Sequence, residues 1–198
     1  QACEAFYTRA STEEFWAAEA SLAALERLKF GVTCGVSLFG GGDSILRTDD
    51  PVFAARHCEA VEAVGIRSML AVGPCRPPFP RRFHRWEGRQ FRTSDVSFDD
   101  QLATCTTVVS QWHGSGSGRI QICIVSPTIR TEHVDALRPD SAEFRELHYQ
   151  ARAARDLSRR HSLLFTQDGH TRGSVQYAHE ALDILGPDAL LSHSTDLN

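Results

Sequence analysis

Five apolar, strand-like runs alternate with helix-like segments along the whole chain, and this alternation limits the folds open to it. The runs lie near residues 32–39, 66–72, 119–125, 162–166 and 189–193. The helix-like segments before and between them span residues 11–29, 51–64, 97–112, 141–160 and 174–185. Fully apolar strands joined by helices predict a parallel sheet covered by helices. We therefore predict an α/β fold in a single domain over residues 1–198.

Two arrangements of such units fit the pattern, a doubly wound sheet and a (β/α)8 barrel. No G-x-G-x-x-G follows the first strand, which disfavours a dinucleotide-binding sheet. A barrel needs eight units, so a barrel interpretation requires units beyond the five seen here. The chain starts at Gln1, and its only methionine, Met69, lies inside the second predicted strand. We therefore expect an internal piece of a longer protein.

Polar residues end the last two predicted strands, where chemistry is expected in a fold of this kind. The fourth strand runs into Gln167, Asp168 and His170, and the fifth runs into His193. Ligands in parallel α/β folds bind at the carboxyl ends of the strands. The sequence therefore predicts that these four residues lie near one site.

Composition excludes several classes of partner. A formal net charge of −4 and a pI near 6.1 disfavour nucleic acid, which usually binds a basic face. No apolar run approaches the roughly 18–20 residues of a membrane span, so no membrane partner is expected. None of the six cysteines belongs to a CxxC or CxxH pair, which disfavours a zinc finger or a thioredoxin-like site. A reduced, cytoplasmic setting is the prediction.

Three local predictions concern burial and loops. In the first helix an apolar stripe at helical spacing predicts the buried face, which consists of Phe15, Ala18, Leu22, Leu25 and Leu28. The first strand is predicted to be buried, with Cys34 acting as a small buried hydrophobe. The proline-rich segment from about 73 to 93 is predicted to be a long irregular loop.

A glycine run at residues 40–42, followed by Asp43, comes after the first predicted strand. It could cradle an anion, but it lacks the lysine and the spacing of a P-loop. A flexible loop at the mouth of a site is the better interpretation, and bound phosphate there would favour the doubly wound sheet.

Two parts of the chain resemble the amidohydrolase superfamily of metal-dependent hydrolases, and in particular its aminohydrolase branch, which includes cytosine deaminases. The passage AALERLKFGVTCGV resembles the family's ELLRxGVT passage. The C-terminal LLFTQDGH and ILGPDALLSHST resemble the family's strand ending in His-x-x-Glu, its LGP turn and its strand ending in Ala-His-Cys. The resemblance implies an incomplete (β/α)8 TIM barrel, roughly units two to six, with parallel strands and outer helices.

The same resemblance implies a divalent metal, with zinc expected, that activates water, and a group that carries protons to the leaving amine. His193 matches the strand-six histidine and is predicted to be a metal ligand. Gln167 and His170 stand where the family has a strand-five histidine and a glutamate. We predict His170 and Asp168 as catalytic residues and Gln167 as a substrate-binding residue. Three accounts stay open: His170 replaces the lost ligand, Gln167 and Asp168 supply an oxygen donor, or the site is degenerate.

Two functional hypotheses follow. The first is a metal-dependent hydrolase that acts on a non-peptide C–N bond of a small cyclic amidine, amide or aminoheterocycle. Its partner is a small-molecule substrate, and self-association of the full-length protein is compatible with it. The second is a non-catalytic or degenerate barrel remnant that acts as a binding or interaction module, which Gln167 and the missing units favour.

Overall fold

The computed structural model describes residues 6–40, 47–136 and 138–194; glycines 41 and 42 and Asp43 lie outside this part of the chain. A π-helical turn, Phe6–Ala10, precedes helices α1 Glu13–Lys29, α2 Pro51–Val64, α3 Phe98–Trp112, α4 Thr131–Ala136, α5 Ala142–Arg160 and α6 Ser174–Glu180. The strands are β1 Cys34–Leu38, β2 Arg67–Val72, β3 Arg81–Glu87, β4 Gln90–Val96, β5 Ile120–Val125, β6 Phe165–Asp168 and β7 Ala189–Ser192.

The order of the strands confirms the predicted α/β class. Five strands form one sheet in the order β1-β2-β5-β6-β7, and β3 pairs with β4 in a second sheet. The pairs β1–β2, β5–β6 and β6–β7 are parallel. The chain divides into two compact units, residues 1–122 and residues 123–198, called unit 1 and unit 2 below. The single domain over 1–198 stays a prediction.

Large apolar side chains from strands and helices are buried in both units. The large buried side chains of unit 1 include Trp16, Phe39, Phe53, Leu70 and Ile120. Those of unit 2 include Ile124, Leu147, Leu157, Phe165 and Ile184.

Local signals in the sequence set the ends of the longer helices. Asp50 caps α2 by accepting a hydrogen bond from the backbone N–H of Val52, and Gly65 ends that helix at φ +88°. Ser97 and Asp100 form a reciprocal capping box at the start of α3. Because these caps satisfy backbone groups that a helix end leaves free, the predicted boundaries of α2 and α3 agree with the structure to within about a residue.

The long irregular loop predicted for residues 73–93 is wrong, because most of that segment is an antiparallel hairpin. Strand β3 pairs with β4 from Arg81↔Val96 to Glu87↔Gln90. Gly88 and Arg89 form the two-residue connection, and Gly88 has φ +62°, as tight hairpin turns require. The side chain of Trp86 in β3 is 50% exposed, so it lies at the surface of the hairpin.

The face of α1 predicted to be buried is also wrong. The buried side chains of α1 are Trp16, Ala20 and Ala24, whereas the predicted stripe includes exposed Leu22, Leu25 and Leu28. The ring of Trp16 lies 4.5 Å from that of Phe39 between centroids. Both faces of α1 are rich in alanine or leucine and each has one aromatic side chain, so the packing of Trp16 and its small neighbours Ala20 and Ala24 decides which face is buried.

Strand β1 is more exposed than predicted. Its residues alternate between exposed and half-buried, and Val36 and Leu38 are 42% and 39% exposed. Cys34 is exposed, so its prediction as a buried residue is wrong. In the five-stranded sheet β1 is an outer strand that neighbours β2 alone, and the described residues place no neighbour on its other edge.

Two further differences concern unit 2. Strand β6 begins at Phe165 and includes Asp168, so the predicted run 162–166 lies about three residues too early. Helix α6 ends at Glu180 rather than near residue 185, and the short helix α4 lies between β5 and α5, where the sequence predicted no helix. Across the described ranges, no helix combines the length and the apolar character needed to cross a membrane.

Candidate active site at the ends of strands β6 and β7

One backbone carbonyl joins the ends of the last two strands. Asp168 ends β6 and lies opposite Ser192, which ends β7. The carbonyl oxygen of Ser192 accepts hydrogen bonds from the N–H groups of Gly169 at 2.9 Å and Ser194 at 2.8 Å. The Ser194 hydroxyl donates to the same oxygen at 3.3 Å. The residues that follow each strand are therefore held side by side.

His193 occupies the centre of a tight three-residue turn. Its φ is +60°, and that of Ser194 is +41°. The bond from Ser194 N–H to the Ser192 carbonyl spans only two residues, which is the pattern of a γ-turn with a positive central φ. Such a backbone is unfavourable for a residue with a Cβ and persists where its surroundings fix it. The turn positions the His193 imidazole beside Asp168.

The structure brings together three of the four predicted site residues. The Asp168 Oδ2 atom lies 3.0 Å from His170 Nδ1, and its Oδ1 atom lies 3.8 Å from His193 Nε2. The two imidazole rings are 5.9 Å apart between centroids, nearly perpendicular at 76°. The Asp168 side chain is 20% exposed, whereas those of His170 and His193 are 53% and 63% exposed. The largely enclosed Asp168 carboxylate thus lies beside the accessible imidazoles of His170 and His193.

Gln167 is placed differently. Its side chain is 1% exposed, and its Nε2 donates to the Asp168 carbonyl oxygen at 3.2 Å. Side chains alternate along a strand, so Gln167 shares the face of Phe165, whose ring lies 5.1 Å from the Arg155 guanidinium of helix α5. Asp168 lies on the opposite face. The substrate-binding role of Gln167 stays a prediction that this placement does not favour.

The Asp168–His170 pair has the geometry of a proton-transfer dyad. Asp168 Oδ2 lies 3.0 Å from His170 Nδ1 as an ion-pair contact, and a carboxylate beside a ring nitrogen favours the tautomer with the proton on that nitrogen. The other nitrogen, Nε2, then carries a lone pair that can take a proton and later return it.

The described residues do not form a metal centre. No group of three or more His, Cys, Asp or Glu side chains in the ranges 6–40, 47–136 and 138–194 is placed to hold a metal ion. Beside the predicted ligand His193, the Oδ2 atom of Asp168 lies 3.0 Å from His170 Nδ1, and its Oδ1 atom lies 3.8 Å from His193 Nε2. Catalytic zinc sites have three protein ligands, so the donors described in this chain do not fit a zinc ion by themselves.

Sequence reasoning missed the ion pair that positions β7. Arg155, 2% exposed on α5, donates from Nη1 to Asp188 Oδ2 at 2.8 Å and from Nη2 to Oδ1 at 2.5 Å. These hydrogen bonds lower the pKa of Asp188. The Asp188 carbonyl accepts from the Phe165 N–H at 3.0 Å. The pair thus anchors the residue before β7 to helix and strand, and its two members are too far apart in sequence for a local pattern to show it.

Gly169 has no room for a side chain. A Cβ built there would lie 2.9 Å from Val175 Cγ2, 3.2 Å from Ser194 Oγ and 3.3 Å from the Ser192 carbonyl oxygen. We expect Gly169→Ala to lower the free energy of unfolding by about 1–3 kcal/mol, as overpacking usually does. Urea unfolding followed by circular dichroism measures it.

The same clash predicts a rescue. Adding Val175→Ala to the Gly169→Ala variant removes the nearest of the three contacts, so the double variant should regain part of the lost stability. Val175→Ala alone serves as the control. A Gly169→Ala variant as stable as the parent chain would show that this end of β6 is not tightly packed.

Comparison with known proteins supports the barrel at the level of the fold. No family model and no curated protein matches the chain. Among solved structures, an amidohydrolase from an environmental sample of the Sargasso Sea matches with a TM-score of 0.58 and 15% identity, over 98% of this chain and 42% of that chain. A mutant of the atrazine chlorohydrolase TrzN from Arthrobacter aurescens TC1, complexed with zinc and atraton, gives a TM-score of 0.49 and 15% identity, over 87% and 34%.

At this identity the likeness to the Sargasso Sea structure shows the fold. It confirms the prediction of an incomplete (β/α)8 barrel, with parallel strands and outer helices. The chain spans less than half the length of either structure. The aminohydrolase branch suggested by the C-terminal motifs stays a prediction.

Proposed function

We propose that this chain forms part of a hydrolase that cleaves a non-peptide C–N bond in a small cyclic amidine, amide or aminoheterocycle. One observation carries the proposal: Asp168, His170 and His193 converge at the carboxyl ends of β6 and β7, with Asp168 Oδ2 3.0 Å from His170 Nδ1. Catalytic residues in barrels of this kind lie at that end of the strands. The resemblance of the same two segments to the amidohydrolase superfamily supports the reaction class.

His170 is the proton carrier in this proposal. Its Nδ1 lies 3.0 Å from Asp168 Oδ2; with the ring proton on Nδ1, Nε2 can accept a proton from the attacking water and deliver it to the departing nitrogen. A leaving amine needs that proton, because an amide anion is a poor leaving group. A positioned acid–base group of this kind typically contributes about 10²–10⁴-fold to the rate.

Metal dependence belongs to the proposal at the level of the whole protein. The resemblance of SHST to the family's strand-six motif supports His193 as a ligand, with zinc as the expected ion. The remaining ligands would have to come from outside the described residues, because those residues provide no three-donor group. A cytoplasmic location and a small-molecule substrate, with neither nucleic acid nor membrane as partner, are part of the same proposal.

Turnover of cytosine and melamine, followed by ammonia release, and of hydantoin, followed by ring opening, tests the function in the full-length protein with and without added zinc. Cytosine and melamine carry exocyclic amines, so they report deamination directly; ring opening of hydantoin is followed by loss of its ultraviolet absorbance. We expect turnover of at least one compound with metal. The His170→Gln variant should lose about 10²–10⁴-fold in kcat, and His193→Ala should lose both bound metal and turnover.

His179→Gln is the matched control, because His179 is an exposed histidine on α6 outside the site. It should retain the parent rate. Turnover that persists in a metal-free sample, or an equal loss in the His179 control, would contradict the proposal.

The absence of a three-donor group among the described residues favours a second candidate, a non-catalytic barrel remnant that binds a ligand or partner. The outer strand β1, with exposed Val36 and Leu38, also supports an interaction role. A folded full-length protein that turns over none of the compounds, with and without zinc, would support this candidate over the hydrolase.

A further inference from the structure

Unit 1 contains a cavity that the proposed hydrolase does not use. Its volume is about 340 Å³, and its walls come from helix α1, strand β1 and helix α2. The apolar part of the lining consists of Ala20, Ala23, Val36, Leu38 and Val61. Pockets of this size hold small ligands.

A buried histidine lies in the wall of this cavity without a partner. His57 is 5% exposed, and neither ring nitrogen has a hydrogen-bond partner among the described residues. Burial, and then the charge of Arg27, lowers the pKa of His57 to about 4, so the ring is neutral at pH 7. A neutral imidazole offers one N–H donor and one acceptor nitrogen. Both ring nitrogens are buried, so His57 closes the wall of the cavity as a neutral ring.

Opposite charges flank the same cavity. Arg27 donates from Nη1 to Ser37 Oγ at 2.9 Å and keeps its other N–H groups for a further acceptor. The Glu19 Oε2 atom lies 4.0 Å from His57 Nδ1, and burial raises the pKa of Glu19 while Arg27 opposes that rise. One cation, one anion and one neutral imidazole therefore line a space whose other walls are aliphatic.

We propose that this cavity binds a small zwitterion with an aliphatic side chain, of the chemical class of the branched α-amino acids. The carboxylate of the ligand pairs with Arg27, and its ammonium group pairs with Glu19. The neutral His57 ring adds no charge between the two, and the aliphatic side chain packs on the alanine and valine wall. A purely anionic ligand would leave Glu19 without a partner, and a purely cationic ligand would leave Arg27 without one.

Isothermal titration calorimetry with L-leucine tests the site on the whole chain. Isocaproate is leucine without its ammonium group, and isoamylamine is leucine without its carboxylate. We expect leucine to bind and each analogue to bind at least ~10-fold more weakly, because each loses one charge-assisted hydrogen bond. Glu19→Gln, which keeps the size of the side chain, and Arg27→Met should each weaken leucine by at least ~10-fold.

The matched controls are Glu59→Gln and Arg56→Met, which change the same residue types on α2 outside this cavity. They should leave the affinity for leucine unchanged. A carbon-13 resonance of the His57 ring that moves on addition of leucine would support contact at the cavity wall. Equal binding of leucine and either analogue, no heat at about 10 mM ligand, or an equal loss in the controls would overturn the proposal.

Discussion

Replacing Arg47 with methionine is expected to lower the free energy of unfolding of unit 1 by about 3–5 kcal/mol, because it leaves a buried carboxylate without its partner. The guanidinium Nε lies 2.7 Å from Asp49 Oδ1, and the two side chains are 0% and 6% exposed. Arg47 also donates to the carbonyl oxygens of Tyr7 at 2.9 Å and His84 at 2.7 Å, and its guanidinium lies 4.1 Å from the centroid of Phe53.

Arg47 therefore links three parts of unit 1 that are distant in sequence: the turn before α1, helix α2 and the hairpin. Burial raises the pKa of Asp49, and the charge of Arg47 opposes that rise. Without Arg47, Asp49 must either stay ionised in an apolar site or take up a proton. Both outcomes cost stability, and neither restores the two carbonyl contacts.

The control is Arg82→Met, which breaks an ion pair with Asp95 at 2.8 Å whose side chains are 65% and 45% exposed. Exposed pairs contribute about 1 kcal/mol or less, so this variant should unfold almost as the parent does. The three tryptophans, Trp16, Trp86 and Trp112, all lie in unit 1, so their fluorescence during urea unfolding reports on this unit. Equal losses in the two variants would show that burial does not set the contribution of Arg47.

Most helices and strands of the parallel barrel could be predicted from the sequence, because the signals that set them are local. Apolar runs bounded by helix caps such as Asp50 and Ser97 depend on neighbours a few residues away. The hairpin β3–β4 escaped prediction because β4 is mostly exposed, so it lacks the alternation that marks a half-buried strand. Its register instead depends on cross-strand pairs such as Trp86↔Phe91.

Burial was harder to predict than secondary structure. In α1 the leucine stripe and the Trp16–Ala20–Ala24 stripe both have helical spacing, and only packing against Phe39 and α2 decides between them. Strand β1 has the composition of a central strand, but its exposure depends on which neighbours the sheet provides. A pattern within one segment carries no information about a missing neighbour.

The candidate site was predictable in its residues and not in its geometry. The carboxyl-end rule placed Asp168, His170 and His193 together, and the structure agrees. The rule could not show that the Ser192 carbonyl joins the two strand ends, or that His193 takes a positive φ. Those features depend on register and on a tight turn that has no glycine to mark it.

Lowering the pH from about 6.5 to about 4 is expected to destabilise unit 1 by up to about 3 kcal/mol through His57 alone. Burial lowers the pKa of His57 from 6.5 to about 4. Between these values the unfolded chain binds a proton that the folded chain does not. Protonation therefore stabilises the unfolded state, and the free energy of unfolding falls as the pH falls. Above about pH 6.5 His57 is neutral in both states, so it makes no contribution to the pH dependence.

His57→Phe isolates this effect, because phenylalanine keeps an aromatic ring against Phe39, whose centroid lies 6.2 Å from that of His57, and cannot take up a proton. Urea unfolding of both chains is followed by tryptophan fluorescence at pH 7, 6, 5 and 4. As the pH falls, the free energy of unfolding should fall faster for the parent than for His57→Phe. His179→Gln, an exposed replacement, should follow the parent at every pH. Parallel curves for the parent and His57→Phe would mean that His57 takes up its proton at the same pH in the folded and the unfolded chain, with Glu19 at 4.0 Å offsetting the effect of burial.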